Sequence, residues 1–178
     1  HGLVFNPGEA VEGYTNFLWV LLLAAGMRLG ADPLLLTAVL NLALALGIVL
    51  LTLLLARRLL TEVWAWVAIG VVLVCQPLLL YTSQNSGMET ALFTALILAV
   101  LLALTQRAWI LAGVLTAMLL MTRPDGILLA EAGGLYALAR GRAGVWWQRL
   151  QPALRYGGTV ALLYIPYFLW RWDYYGYL

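Results

Sequence analysis

From Leu34 to Ala56 the chain carries no charged residue. A helix crossing the roughly 30 Å hydrocarbon core of a bilayer needs about 20 apolar residues, so this stretch is long enough to span. Val63 to Thr82 and Thr90 to Gln106 are likewise uncharged. Of the 178 residues 64% are apolar and 10% charged, against about 45–50% and about 25% in an ordinary soluble domain. The reading is an all-α membrane bundle.

The residues that are missing narrow the chemistry. Every one of the ten basic residues is arginine, which removes a P-loop lysine, a Schiff base and a Ser-Lys dyad. His1 and Cys75 are the single histidine and cysteine, too few for a zinc cluster or a disulfide. A net charge of +2 gives no argument for nucleic acid. No metal or cofactor is called for, and the chemistry left belongs to Arg, Asp, Glu, Tyr, Asn and backbone.

Asp32-Pro33 reads as an N-cap followed by proline at the first helical position, and Gln76-Pro77 as a kink late in the second span. Four shorter apolar runs follow the same logic: Thr15 to Met27, Ala108 to Thr122, Gly126 to Ala139 and Tyr156 to Trp170. Cytoplasmic loops are enriched in Lys and Arg. Arg57-Arg58, Arg107, and the group Arg140, Arg142, Arg149 and Arg155 therefore mark three inside loops. That parity puts Gln84 to Glu89, Arg123 to Asp125, the stretch from Arg171 onward and the region before Asp32 outside. Thr15 to Met27 is then an interfacial helix rather than a crossing one. Residues 108–139 form either two short spans or one re-entrant hairpin. The expectation is about six spans in one membrane domain over 1–178: an extracytoplasmic loop with the interfacial helix (1–32), the transmembrane bundle (33–170) and the start of a further loop (171–178). The chain reads as an internal piece of a longer protein. Glu131, alone inside an apolar run, is expected to face the bundle or be protonated.

Outside, carboxylates, arginines, Asn6, Asn16, Asn85, Tyr14, Tyr81, Tyr174 and Tyr175 gather on one side. Tyrosine and tryptophan faces cover sugar C–H surfaces, Asn and acids bond hydroxyls, and arginine grips phosphate with two parallel bonds. Each candidate also has a structural reading. Ser86 and Glu89 have capping-box spacing. Asp125 can start a helix with Arg123 as its partner, and Arg171 and Asp173 can anchor an aromatic belt with Trp170 and Trp172. Trp64, Trp66, Trp146 and Trp147 read as interface anchors, and Arg57-Arg58 as topology.

These outer segments, in this order, resemble a bacterial family of GT-C glycosyltransferases, and within it the branch of the mycobacterial terminal arabinofuranosyltransferases. The resemblance is carried by Gly2-Leu3-Val4-Phe5-Asn6-Pro7-Gly8-Glu9 with Val11-Glu12-Gly13-Tyr14-Thr15-Asn16, then Gly87-Met88-Glu89-Thr90, Arg123-Pro124-Asp125-Gly126, and Arg171 with Tyr174-Tyr175-Gly176. It implies a multi-pass enzyme of the bacterial cytoplasmic membrane, active at the extracytoplasmic face. Such an enzyme transfers sugar from a polyprenyl-phosphate donor to a glycan, lipid or protein of the cell envelope, with no cofactor beyond that lipid-linked donor. It further implies Arg123 and Arg171 as clamps for phosphate or carboxylate, and Glu89 and Asp125 as groups that orient them or bond sugar hydroxyls. Asn6, Glu12, Tyr14, Asn16, Asn85, Tyr174 and Tyr175 then belong to substrate binding. The family's catalytic aspartate is expected upstream of His1. The rival classes are a non-enzymatic transporter or flippase, for which Glu131 and Gln76-Pro77 are the relevant features, and a structural subunit of an envelope complex.

Overall fold

A computed structural model describes residues 16–75, 87–141 and 145–176. Gln76-Pro77, Asn6, Glu12, Tyr14, Tyr81, Asn85, Ser86 and Arg142 lie outside the described residues. Among those described there is no strand, and the fold is all-α. Its helices are α1 (Phe17–Arg28), α2 (Pro33–Leu59), α3 (Val63–Val74), α4 (Thr90–Thr105), α5 (Trp109–Thr122), α6 (Ile127–Ala139) and α7 (Trp146–Tyr175). A short 3₁₀ turn, Pro124–Gly126, joins α5 to α6.

The described residues fall into two compact units. Leu18–Arg107 holds α2, α3, α4 and all of α1 but its first residue. Ala108–Leu178, joined by Asn16 and Phe17, holds α5, α6 and α7.

In the first unit α2 packs against both α3 and α4. The start expected at Asp32-Pro33 is present: Asp32 Oδ1 accepts from the N–H groups of Leu34 (3.0 Å) and Leu35 (2.9 Å), with Pro33 at the first position. These bonds satisfy two of the orphan donors at the helix start. At 27 residues, or about 40 Å, α2 is the one described helix long and apolar enough to cross a membrane. One stripe, with Asn41, Ala45 and Ile48, is buried, and Ile48 meets Ala91 and Ala95 of α4. The other stripe exposes Leu35, Val39, Leu42, Leu46 and Leu50. Such a contiguous apolar surface is rare on a soluble monomer.

α1 has 12 residues, or about 18 Å, too short to cross. It is tied to the start of α4 by the Trp19 indole N–H, which donates to the Gly87 carbonyl at 2.9 Å. The capping box expected at Ser86 and Glu89 needs correction. Helix α4 begins at Thr90 with Glu89 itself at the N-cap and no side-chain cap bond, so Glu89 is not at the third helical position that a box requires.

In the second unit α5 and α6 form an antiparallel hairpin, and α7 packs on both. Small residues allow the close approach. A Cβ at Gly113 of α5 would stand 2.7 Å from both the Tyr156 carbonyl oxygen and the Thr159 Cβ of α7. Gly133 of α6 faces the Tyr156 ring in the same way, and Ala117 and Ala137, each four residues on, are fully buried. Glu131 departs from expectation: it is exposed on α6. Two residues from Gly133 is roughly 200° around a helix, so the chain offers the carboxylate no place among α5, α6 and α7. The hairpin's helices, 14 and 13 residues, are about 20 Å long, a length that suits short spans and a re-entrant hairpin alike.

Candidate functional site

The geometry of the second unit begins at the α5–α6 turn. Proline disfavours helical backbone in the residue before it, and Arg123 accordingly leaves α5 extended, at φ −152° and ψ 140°. The chain then winds through Pro124–Gly126, with the Gly126 N–H donating to the Arg123 carbonyl at 3.1 Å. Gly126 is buried under Leu119, whose Cγ would lie 3.1 Å from an added Cβ. A tight, backbone-defined turn therefore projects two charged side chains from a fixed base. Arg123 Nη2 donates to Asp125 Oδ2 at 3.1 Å, with the two side chains 38% and 64% exposed. Exposed pairs of this kind contribute about 0–1 kcal/mol to stability, so this one is a poor candidate for holding the fold together.

Along α7, Tyr164, Tyr167, Arg171 and Tyr174 recur at spacings of three and four and so share one helix face. Ring contacts run the length of that face: Tyr164 to Tyr167 at 5.7 Å, Tyr167 to Trp170 at 6.3 Å, Trp170 stacked on Tyr174 at 5.5 Å, and Tyr174 edge-on to Tyr175 at 4.9 Å. Phe17 completes the cluster, 4.7 Å from Tyr167 and 5.6 Å from Trp170. The helix ends where Gly176 takes up φ +74° and its N–H donates to the Trp172 carbonyl at 2.9 Å, a left-handed cap that glycine accepts without Cβ strain.

Register brings the turn and the stripe together. Gly113 abuts Thr159, while Gly133 of α6 and Gly141 just beyond it meet Tyr156 and Arg149 in turn, so α7 runs against α6 and in the same direction as α5. Ten residues beyond that contact, Arg123 stands level with Leu169. Arg171 is two residues further, about 3 Å along the axis. One end of the unit thus gathers Arg123 and Asp125, Arg171 within an aromatic stripe, Tyr174, the buried Tyr175, and Asn16-Phe17 at the end of the N-terminal motif.

Of the residues expected at a site, Arg123, Asp125, Arg171, Tyr174, Tyr175 and Asn16 share this end. Glu89 belongs to the other unit, half-buried at the start of α4. Three residues were missing from the expected set: Phe17, Tyr167 and Trp170. For Tyr167 and Trp170 the signal is the three-and-four spacing of rings around Arg171, which a reading in terms of an aromatic belt absorbs; Phe17 carries no such signal, since only the fold brings it to Tyr167 and Trp170. Among the described residues no group of three His, Cys, Asp or Glu could hold a metal ion. Set against known protein families, curated proteins and solved structures, the chain gives no match.

Proposed function

We propose that this chain belongs to a multi-pass membrane glycosyltransferase that moves sugar from a polyprenyl-phosphate donor to an envelope glycan, lipid or protein at the extracytoplasmic face. The observation that carries the reading is the shared level of the Arg123–Asp125 turn and Arg171 beside a wall of aromatic rings. Arginines supply paired donors for phosphate oxygens, and ring faces supply the apolar surface that pyranose and furanose C–H groups cover. Charge parity puts this end outside, with Arg140, Arg149 and Arg155 at the other.

In the reaction the acceptor hydroxyl oxygen bonds to the anomeric carbon, whose bond to the phosphate oxygen breaks. The phosphate departs with the bonding pair, and the acceptor proton passes to a carboxylate. Arg123 and Arg171 stabilise the charge growing on the phosphate. Asp125 aligns Arg123 through its 3.1 Å bond or takes a sugar hydroxyl, and Tyr174, Tyr175 and Asn16 border the sugar. Membrane placement draws on the leucine stripe of α2 and on the small-residue packing of α5, α6 and α7. The rival transporter reading loses support from Glu131, which stands exposed rather than inside the three-helix unit.

The test is transfer of radiolabelled sugar from polyprenyl phosphate in membranes carrying the full-length protein, beside Arg123→Ala and Arg171→Ala. Transfer by the wild type and its loss in both variants is the expected result. Undiminished transfer in both variants contradicts the site, and no transfer with a broad donor panel contradicts the enzyme.

A further inference from the structure

In the first unit, α2 and α3 border an open groove of about 430 Å³. Val49 and Leu53 form its α2 wall; Trp66, Val67, Gly70, Val71 and Cys75 form its α3 wall. Among the described residues no ionisable side chain other than the Cys75 thiol lines it. From Trp66 to Cys75, the C-cap of α3, it follows the helix for about 14 Å. Gly70 keeps it open, since a Cβ there would already stand 3.0 Å from Leu53 Cδ2.

The groove does not end in apolar sequence. Val49, Leu53 and Arg57 follow one another at one-turn intervals on α2, so the stripe that lines the groove finishes in a guanidinium. That guanidinium lies over the Trp66 ring, 5.6 Å from its centroid, which fixes the cation at the mouth of the groove. Arg58, the next residue, adds a second exposed charge to the same end of α2. The nearest acid in sequence, Glu62, is exposed at the N-cap of α3, and no described carboxylate lies within ion-pair distance of Arg57.

We infer that this groove holds one acyl chain of an anionic glycerophospholipid whose phosphate is met by Arg57 and Arg58. The inference rests on the membrane placement of α2 proposed above, and not on sugar transfer. An open apolar groove with a cation at its mouth matches a hydrocarbon tail joined to a phosphate. An uncharged lipid leaves Arg57 and Arg58 unmet, a free inorganic anion leaves the groove unfilled, and a second copy of the chain would bring the same cations against each other. Basic pockets between helices on the cytoplasmic side are suited to such headgroups.

The experiment is native mass spectrometry of the full-length protein in detergent, with dioleoyl phosphatidylglycerol against dioleoyl phosphatidylcholine. One phosphatidylglycerol is retained per chain, and Arg57→Gln with Arg58→Gln weakens it about fivefold per arginine. Val71→Trp, which fills the groove and leaves both arginines, abolishes retention. Cys75 gives a readout that needs no variant: phosphatidylglycerol slows its alkylation by an apolar maleimide and phosphatidylcholine does not. Equal retention of the two lipids, wild-type affinity in the Arg57→Gln, Arg58→Gln protein, or equal protection of Cys75 by both lipids overturns the inference. Release of the protein from membranes by alkaline carbonate overturns the membrane placement instead.

Discussion

The hydroxyls of Thr116 and Tyr156 lie 3.1 Å apart in the buried centre of the three-helix unit. Tyr156 Oη also donates to the Ala130 carbonyl at 3.2 Å. With its one proton committed there, the phenol oxygen receives the Thr116 hydroxyl. A single side chain from α7 thereby joins α5 and α6, and Gly113 and Gly133 make room for it. The node lies below the Arg123 turn and sets the register that makes Arg123 and Arg171 level.

Tyr156→Phe removes both bonds and leaves the buried Thr116 hydroxyl without its tyrosine partner. The expected loss is about 1–3 kcal/mol, toward the lower end where a bilayer is the reference. Thr116→Val, which keeps the bond to Ala130, loses less. Denaturant titration of the full-length protein in detergent orders the two variants; a larger loss in Thr116→Val contradicts the assignment of donors.

Gly133→Leu and Gly113→Leu force side chains into the space taken by the Tyr156 ring and by Thr159. Overpacking of this kind costs about 1–3 kcal/mol. Thermal unfolding should fall in both, while Gly158→Leu, at a position with open space around its Cα, leaves it near the wild-type value.

Asp32→Ala removes the side chain that accepts from Leu34 and Leu35. Loss of about 1 kcal/mol follows from the missing cap, read as a lower midpoint of chemical unfolding. Asp32→Asn, whose amide oxygen can accept the same bonds, restores most of it.

How much of this was readable beforehand differs from element to element. The start of α2 was plain because a cap and a proline act within a few residues of each other, and the hairpin was plain because Arg107, the Arg123–Gly126 turn and Arg140 punctuate it. The Tyr156 node was not, since nothing local distinguishes a tyrosine that will meet two other helices from one at an interface. Glu131 misled for a related reason: its run of neighbours is apolar on every side, so only packing decides which face α7 covers. The cap of α4 was misplaced because Ser86 and Glu89 have the right spacing for a box, while the helix starts after them.

Asp125→Asn separates a structural from a functional role for the turn. The exposed pair implies a stability change of at most about 1 kcal/mol. Sugar transfer should nonetheless fall at least tenfold if Asp125 aligns Arg123 or holds a hydroxyl. A variant that unfolds yet retains its transfer per folded molecule assigns Asp125 to the fold alone.

The most direct test is the affinity of the full-length protein for polyprenyl phosphate, measured by titration for the wild type, Arg123→Gln, Arg171→Gln and the double variant. Each charge-assisted contact of about 1.5–3 kcal/mol predicts that each single variant binds about 10- to 100-fold more weakly, with losses in the double variant that do not add, as for two groups on one phosphate. Wild-type affinity in both single variants would contradict a shared phosphate site at this end of the bundle.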